Sequence, residues 1–506
     1  MPKENLARST LSAFGWQYTS FIGQALMQLL VLAVQARLLT AEDFGVMGLA
    51  MIFVGFAALF SQMGVGPAII QRPELTALHI RVGFTISVLL SLIFTILMIA
   101  IAPLVAVFVK NDQVTGVMYA VSLNFLFAGF GVVAESLLKR NLKFKRLMKA
   151  NVISYAIGYA GVGIVMAVMG FGVMALVGAT LGQSLLKSVL LLAYNPHPVK
   201  PSLARNEMRE LIFFGGGFTL AHFLNYSANQ GDYFVVGRMM GSEALGIYTR
   251  AYQLMMLPAK YFGQVLTVVL FPVMSKIQSS RARLARAYLG GIAMVTLVSA
   301  PMGVLMVTTA PEIVEILLGP NWSQTVVPFQ ILALGVVARG SYKIDDSLAR
   351  AMGMMYQRSV RDAIYAAAVV IGAFIGLRWG LVGVAWGVLA AVVINYILAI
   401  QMSVRLLECT WGQVLQALVP SIYPAALLTV VSLGARALMV SAGAPAWLTL
   451  GIVTLASGMS LAALYALWPQ LLGVYGIKTL KRFLPSMPVK IFPKTVSQWI
   501  LARIEN

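Results

Sequence analysis

Charged and amide side chains interrupt long apolar runs at helical spacing, and their types suggest recognition and charge neutralisation. Lys260 lies near the middle of such a run, just after Pro258. A lysine at that depth costs several kcal/mol unless water, a carboxylate or an anionic ligand meets it. Arg250, Gln253, Lys260, Gln264 and Thr267 share one helical face within about 100°. Upstream, Gln17, Gln24, Gln28 and Gln35 form a stripe about 40° wide and about 27 Å long, and His222, Asn225, Asn229 and Asp232 occupy a sector of about 80°. Amides facing lipid are unfavourable, so each stripe faces either a wet cavity or a neighbouring helix. Asp232 either titrates or takes a cation, or it pairs with a basic residue such as Lys260. Arg339, Lys343, Asp346 and Arg350 repeat the theme on one face, where alternating signs allow either a self-neutralised helix or a binding one. Glu135 and Lys139 read as a structural i,i+4 pair.

Elements that position these groups must be transmembrane helices. Of 506 residues, 59% are hydrophobic and 11% charged, more apolar surface than a soluble domain buries. The apolar runs match the ~20 residues that cross a hydrocarbon core as helix and lack the alternation of a barrel strand. The expected fold is therefore an all-α integral membrane protein of about fourteen spans. Most of the 37 Lys and Arg fall in the tails and even-numbered connections, which places both termini in the cytoplasm by the positive-inside rule. The densest cluster is KRNLKFKRLMK at 139–149. Topology and anionic lipid account for the net charge of +20, so nucleic acid is not expected as a partner. Cys409 is the single cysteine, and His79, His197 and His222 are scattered; no disulfide framework or metal site is expected. The first apolar stretch is longer than a signal-peptide core, so cleavage is not expected. No connection is long enough to hold a soluble catalytic domain.

The chain repeats itself. ARLLTAEDFGVMGLA at 36–50 is echoed by GRMMGSEALGIYTRA at 237–251, which aligns Arg37 with Arg238, Glu42 with Glu243 and Gly45 with Gly246. Ala102-Pro103 is echoed by Ala310-Pro311, and GFGVMALVG at 170–178 by GLVGVAWG at 380–387. Two parallel six-helix repeats are expected, related by a two-fold axis along the membrane normal, with two further C-terminal helices. The expected boundaries are 1–205 and 206–412 for the two lobes, 413–474 for the added helices and 475–506 for a basic interfacial tail. Such halves are expected to share a central cavity and to alternate its access by rocking. Tyr226, Tyr233, Tyr248 and Tyr252 are candidates for stacking on sugar rings or sit at membrane interfaces as ordinary aromatic anchors.

ARLLTAEDFGVMGLA and GIYTRAYQLMMLP at 246–258 resemble the Wzx-type polysaccharide flippases of the multidrug/oligosaccharidyl-lipid/polysaccharide exporter superfamily, most closely the exopolysaccharide and colanic-acid-type branch. The resemblance covers about residues 5 to 440. It implies a bacterial inner-membrane protein without catalytic residues or cofactor, which moves an undecaprenyl-diphosphate-linked oligosaccharide from the cytoplasmic to the periplasmic leaflet. Membrane lipid, that substrate and other polysaccharide-assembly proteins are the partners it allows, and the coupling ion, proton or sodium, stays open. A diphosphate would suit Lys260 as well as a carboxylate would. The alternatives are a cation-coupled multidrug exporter, a peptidoglycan-precursor flippase, whose arginines in the first helices are here replaced by the glutamine stripe, and a membrane polymerase or ligase, which would be expected to carry a large periplasmic loop.

Overall fold

The computed structural model describes residues 27–61 and 64–475 with Gly23 and Ile477, and at 212–225, 227–229 and 258–273 it describes the helical backbone alone. Gln17 and Gln24, the side chains of His222, Asn225, Asn229, Lys260, Gln264 and Thr267, and nearly all of the 475–506 tail lie outside the described residues. In chain order the helices are α1 (Met27–Leu38), α2 (Ala41–Ser61), α3 (Val65–Gln71), α4 (Ala77–Val109), α5 (Gln113–Arg140), α6 (Phe144–Val168) and α7 (Val173–Tyr194). After them come α8 (Arg205–Met240), α9 (Ser242–Lys276), α10 (Arg281–Thr308), α11 (Ala310–Leu317), α12 (Val326–Leu334), α13 (Val336–Ala351), α14 (Met355–Gly376), α15 (Gly380–Leu407), α16 (Trp411–Leu418), α17 (Ile422–Ser441) and α18 (Ala446–Leu467). No strand occurs among the described residues.

Nine segments among the described residues are long and apolar enough to cross a membrane, and ten if α12 and α13 with the preceding turn form one bent span. The number of spans differs from about fourteen because the first span and parts of α8 and α9 lie outside the fully described residues, and Met355–Leu407 is one 53-residue segment. That segment is a hairpin: Leu377–Trp379 breaks it, and Gly380 turns the chain at φ 67°. A Cβ on Gly372 or Gly376 would strike the backbone of Gly387 or Gly383, so the two helices touch backbone to backbone.

Large apolar side chains cover the outside of the helices, and small hydroxyl side chains lie among the apolar ones buried between them. On α4, Leu92, Ile93, Ile96 and Leu97 are exposed while Ser87, Ser91 and Thr95 are buried. Thr95 Oγ1 donates to the Ser91 carbonyl at 2.8 Å and approaches the Ser122 carbonyl of α5 at 3.2 Å. Lipid solvates the leucines as well as a protein core would, so close packing of small residues holds the helices together.

The opening repeat has a structural counterpart. A Cβ on Gly45 would collide with the Ser242 carbonyl, and one on Gly246 with the Ala41 carbonyl. Since Gly45 aligns with Gly246 and Ala41 with Ser242, each copy makes the same contact on the other, the mark of a local two-fold. Compact units form from Met1–Thr249 with Leu317–Gly319, and from Arg250–Ile316 with Pro320–Asn506. The division falls inside α9, whose first turns meet α2, while α8 runs beside α2, α3 and α4.

Basic residues do structural work beyond setting topology. Arg140 donates to the carbonyls of Ile69 at 2.8 Å and Pro73 at 3.0 Å, which closes the end of α3, and Arg146 donates to the Tyr194 carbonyl at the end of α7 at 2.8 Å. Helix ends within a membrane protein need such donors. Arg436 on α17 pairs with buried Glu312 on α11 at 2.7 Å. Arg436→Ala leaves that carboxylate buried alone and should cost about 3 kcal/mol, read as a lower melting temperature in detergent. Adding Glu312→Gln should restore part of the loss, and unchanged melting of the single variant would remove the pair from the account.

Candidate functional site

In the first unit, Asp232 is buried at 2% exposure. Its Oδ2 accepts from the Tyr248 hydroxyl at 2.9 Å and its Oδ1 from the Tyr233 N–H at 3.0 Å. The rings of Tyr233 and Tyr248 meet edge to face at 5.8 Å. Tyr226 donates to the Ile52 carbonyl of α2 at 3.0 Å. Gln28 is partly buried, whereas Gln35 is 3% exposed, with its amide nitrogen against the position a Gly163 side chain would fill. The described end of the glutamine stripe thus packs on a neighbouring helix. Glu135 on α5 pairs with Lys139 at 2.7 Å and also with Lys187 of α7 at 2.9 Å, which accounts for the charge of a lysine inside a span.

In the second unit the polar groups converge on α13. Arg339 is 9% exposed; it donates to the Tyr252 hydroxyl at 3.0 Å and lies 4.9 Å over that ring, a cation–π contact strengthened by desolvation. Lys343 Nζ sits 4.8 Å from the Tyr342 ring. Asp345 is fully buried and takes hydroxyl donors at Oδ1 from Tyr288 of α10 at 2.8 Å and Ser403 of α15 at 2.6 Å. Asp346 pairs with Arg350 and Arg358, with Arg361 at 3.8 Å. Arg250 is half-buried. Helix α13 thus carries Arg339 against Tyr252, Lys343 beside Tyr342, Asp345 against Tyr288 and Ser403, and Asp346 among Arg350 and the α14 arginines.

Asp345, Tyr288, Ser403, Arg358 and Arg361 were not singled out from the sequence. The doublet Asp345-Asp346 and the i,i+3 and i,i+4 spacing of Arg358, Arg361 and Asp362 are the signals that could have found them.

Outside the spans, Glu210 at the start of α8 meets Arg72, and His79 Nε2 at 3.4 Å. Arg72 and then His79 hold its carboxyl below the usual carboxylate range. A depressed carboxylate stabilises the fold above its ordinary pKa, and the gain is lost as pH falls through its folded value. The melting difference between wild type and Glu210→Gln should therefore be present at neutral pH and shrink as the pH falls below the ordinary carboxylate range. A difference that persists there would contradict the clasp.

A family model described as "Polysaccharide biosynthesis protein" matches residues 34–328, more than half of the chain. The chain belongs to this family. It is 22% identical over 401 residues to the teichuronic acid biosynthesis protein TuaB of Bacillus subtilis, covering 78% of this chain and 82% of the relative. It is likewise 22% identical over 404 residues to the lipopolysaccharide biosynthesis protein WzxC of Escherichia coli, covering 78% and 81%. With the succinoglycan biosynthesis transport protein ExoT of Rhizobium meliloti it shares 23% identity, covering 65% and 66%. Among solved structures it resembles the lipid II flippase MurJ in an inward closed conformation, with a TM-score of 0.71 and 15% identity over 90% of this chain and 99% of MurJ. It also resembles an inward-facing multidrug transporter of the MATE family, with a TM-score of 0.64 and 17% identity over 76% of this chain and 96% of that one. At such identities the structures show the fold alone.

Proposed function

We propose that this polysaccharide biosynthesis protein is a flippase that moves undecaprenyl-diphosphate-linked oligosaccharide repeat units from the cytoplasmic to the periplasmic leaflet by alternating access, for exopolysaccharide, O-antigen or capsule. The carrying observation is the family match together with sequence relatives named for bacterial surface polysaccharides, one of them a transport protein. The fold of a lipid flippase over nine-tenths of the chain supports it, and the multidrug transporter matches a smaller share. Peptidoglycan precursor is a weaker reading, since the named sequence relatives are polysaccharide proteins.

The reading places the chain in the inner membrane with both termini cytoplasmic, treats 1–205 and 206–412 as the moving repeats, and requires no bond-making residue. Gln24, Gln28, His222, Asn225, Asn229, Asp232, Arg250, Lys260, Arg339 and Lys343 are assigned to the substrate path or its support. Deleting the gene should abolish surface polysaccharide while lipid-linked repeat units accumulate, and the intact chain should restore export; normal polysaccharide in the deletion strain would refute the reading. A single cysteine at position 142 in a Cys409→Ser background should be shielded from impermeant reagents in intact cells, and ready labelling would reverse the orientation.

A further inference from the structure

We propose that the elbow between α13 and α14 is a binding site for a phosphate-class dianion, built by Lys343, Arg350, Arg358 and Arg361. At this elbow two carboxylates face four cations. Asp346 and Asp362 take the ion pairs: Arg350 and Arg358 on Asp346, Arg358 on Asp362 at 3.7 Å, and Arg361 on Asp362 at 3.1 Å. Asp345 accepts from Tyr288 and Ser403 at one oxygen, its other oxygen is buried without a hydrogen-bond partner among the described residues, and even with it counted the cations exceed the carboxylates by four to three.

Arg361 carries the argument. It is 4% exposed, and its Nε and Nη1 are buried with no hydrogen-bond partner among the described residues, as is Nε of Arg350. Buried guanidinium N–H groups without acceptors are costly, and a bidentate oxyanion is the ligand whose geometry satisfies them. Lys343 forms no ion pair among the described residues and stands beside the Tyr342 ring that Arg361 also approaches, at 5.9 Å. The side chains of Arg350 and Arg358 are 35% and 25% exposed, so an anion can reach the cluster. Arg358 and Arg361 occupy the first two turns of the 22-residue helix α14, whose N-terminal dipole adds positive potential.

Two sources offer this chemistry: the diphosphate of a polyprenyl-linked oligosaccharide and the phosphate of bulk anionic lipid. Only the first rests on the flippase reading. On the proposed orientation the elbow lies on the cytoplasmic side, where such a substrate would load.

The test is calorimetric titration of the purified full-length protein in detergent with inorganic pyrophosphate. Wild type should bind, Arg361→Gln should lose binding, Arg361→Lys should keep part of it, and Lys343→Gln should weaken it at least about tenfold, or about 1.4 kcal/mol. Lys343→Gln leaves every ion pair intact and guards against a folding artefact, with elution and melting as controls. No binding by wild type, or equal binding by wild type and Lys343→Gln, would overturn the proposal. Competition by farnesyl diphosphate and not by phosphatidylglycerol nanodiscs assigns the site to the carrier diphosphate; equal competition assigns it to phosphate headgroups in general. A protein that exports polysaccharide without binding pyrophosphate loses this site and keeps its function, and one that binds without exporting does the reverse.

Discussion

Gly45→Val and Gly246→Val should each leave little folded protein in the membrane, and by similar amounts. At both positions the added Cβ would meet a backbone carbonyl, Ser242 in one case and Ala41 in the other, and backbone cannot swing aside as the end of a side chain can. Overpacking of this kind costs about 3 kcal/mol or more. The equality of the two effects matters most, because a reciprocal contact around a local two-fold makes the two glycines equivalent. Gly48→Val is the control: its nearest neighbour is the flexible Leu245 side chain at 3.4 Å, so a smaller loss is expected. Yields and melting temperatures that left one glycine tolerant and the other not would disprove the reciprocity.

Lys260→Ala should reduce export more than about tenfold at near-normal protein level, and Lys260→Arg should retain part of it. A diphosphate must leave the headgroup layer, and a fixed cation within the membrane lowers the electrostatic cost of that step. A salt bridge to Asp232 is the competing role. If the lysine holds the diphosphate, the double variant Lys260→Ala with Asp232→Asn should stay inactive. Recovery of export by the double variant would make the lysine a structural partner, and wild-type export by Lys260→Ala would remove it from the mechanism.

Much of this architecture is legible in the sequence because a membrane makes local rules strict. A helix that must satisfy its own backbone in lipid declares itself by an apolar run, and the copies at 36–50 and 237–251 declare the repeat. The glycines of those copies are recognisable as turn residues, yet their role as a mutual crossing needs the partner's carbonyl in view. Single-helix faces are legible too: the alternation of Arg339, Lys343, Asp346 and Arg350 is a consequence of helical geometry. What the sequence conceals is the long-range partner. Asp345 finds Tyr288 and Ser403 at separations of 57 and 58 residues, and hydroxyls leave no periodic trace. Likewise, Arg140 reads as an inside charge, while its bonds to the end of α3 span about 70 residues. Arg339 reads as a cavity cation, and the structure adds the Tyr252 ring beneath it.

The central claim is movement of a lipid-linked oligosaccharide across a bilayer, and reconstitution measures it most directly. Purified protein in liposomes carrying a fluorescent oligosaccharide on a polyprenyl diphosphate should expose the inner-leaflet pool to an impermeant glycosidase, at a rate that rises with protein content. Empty liposomes should expose the outer half alone. A protein-containing sample that matched empty liposomes, with the protein shown to be folded and inserted, would contradict the account.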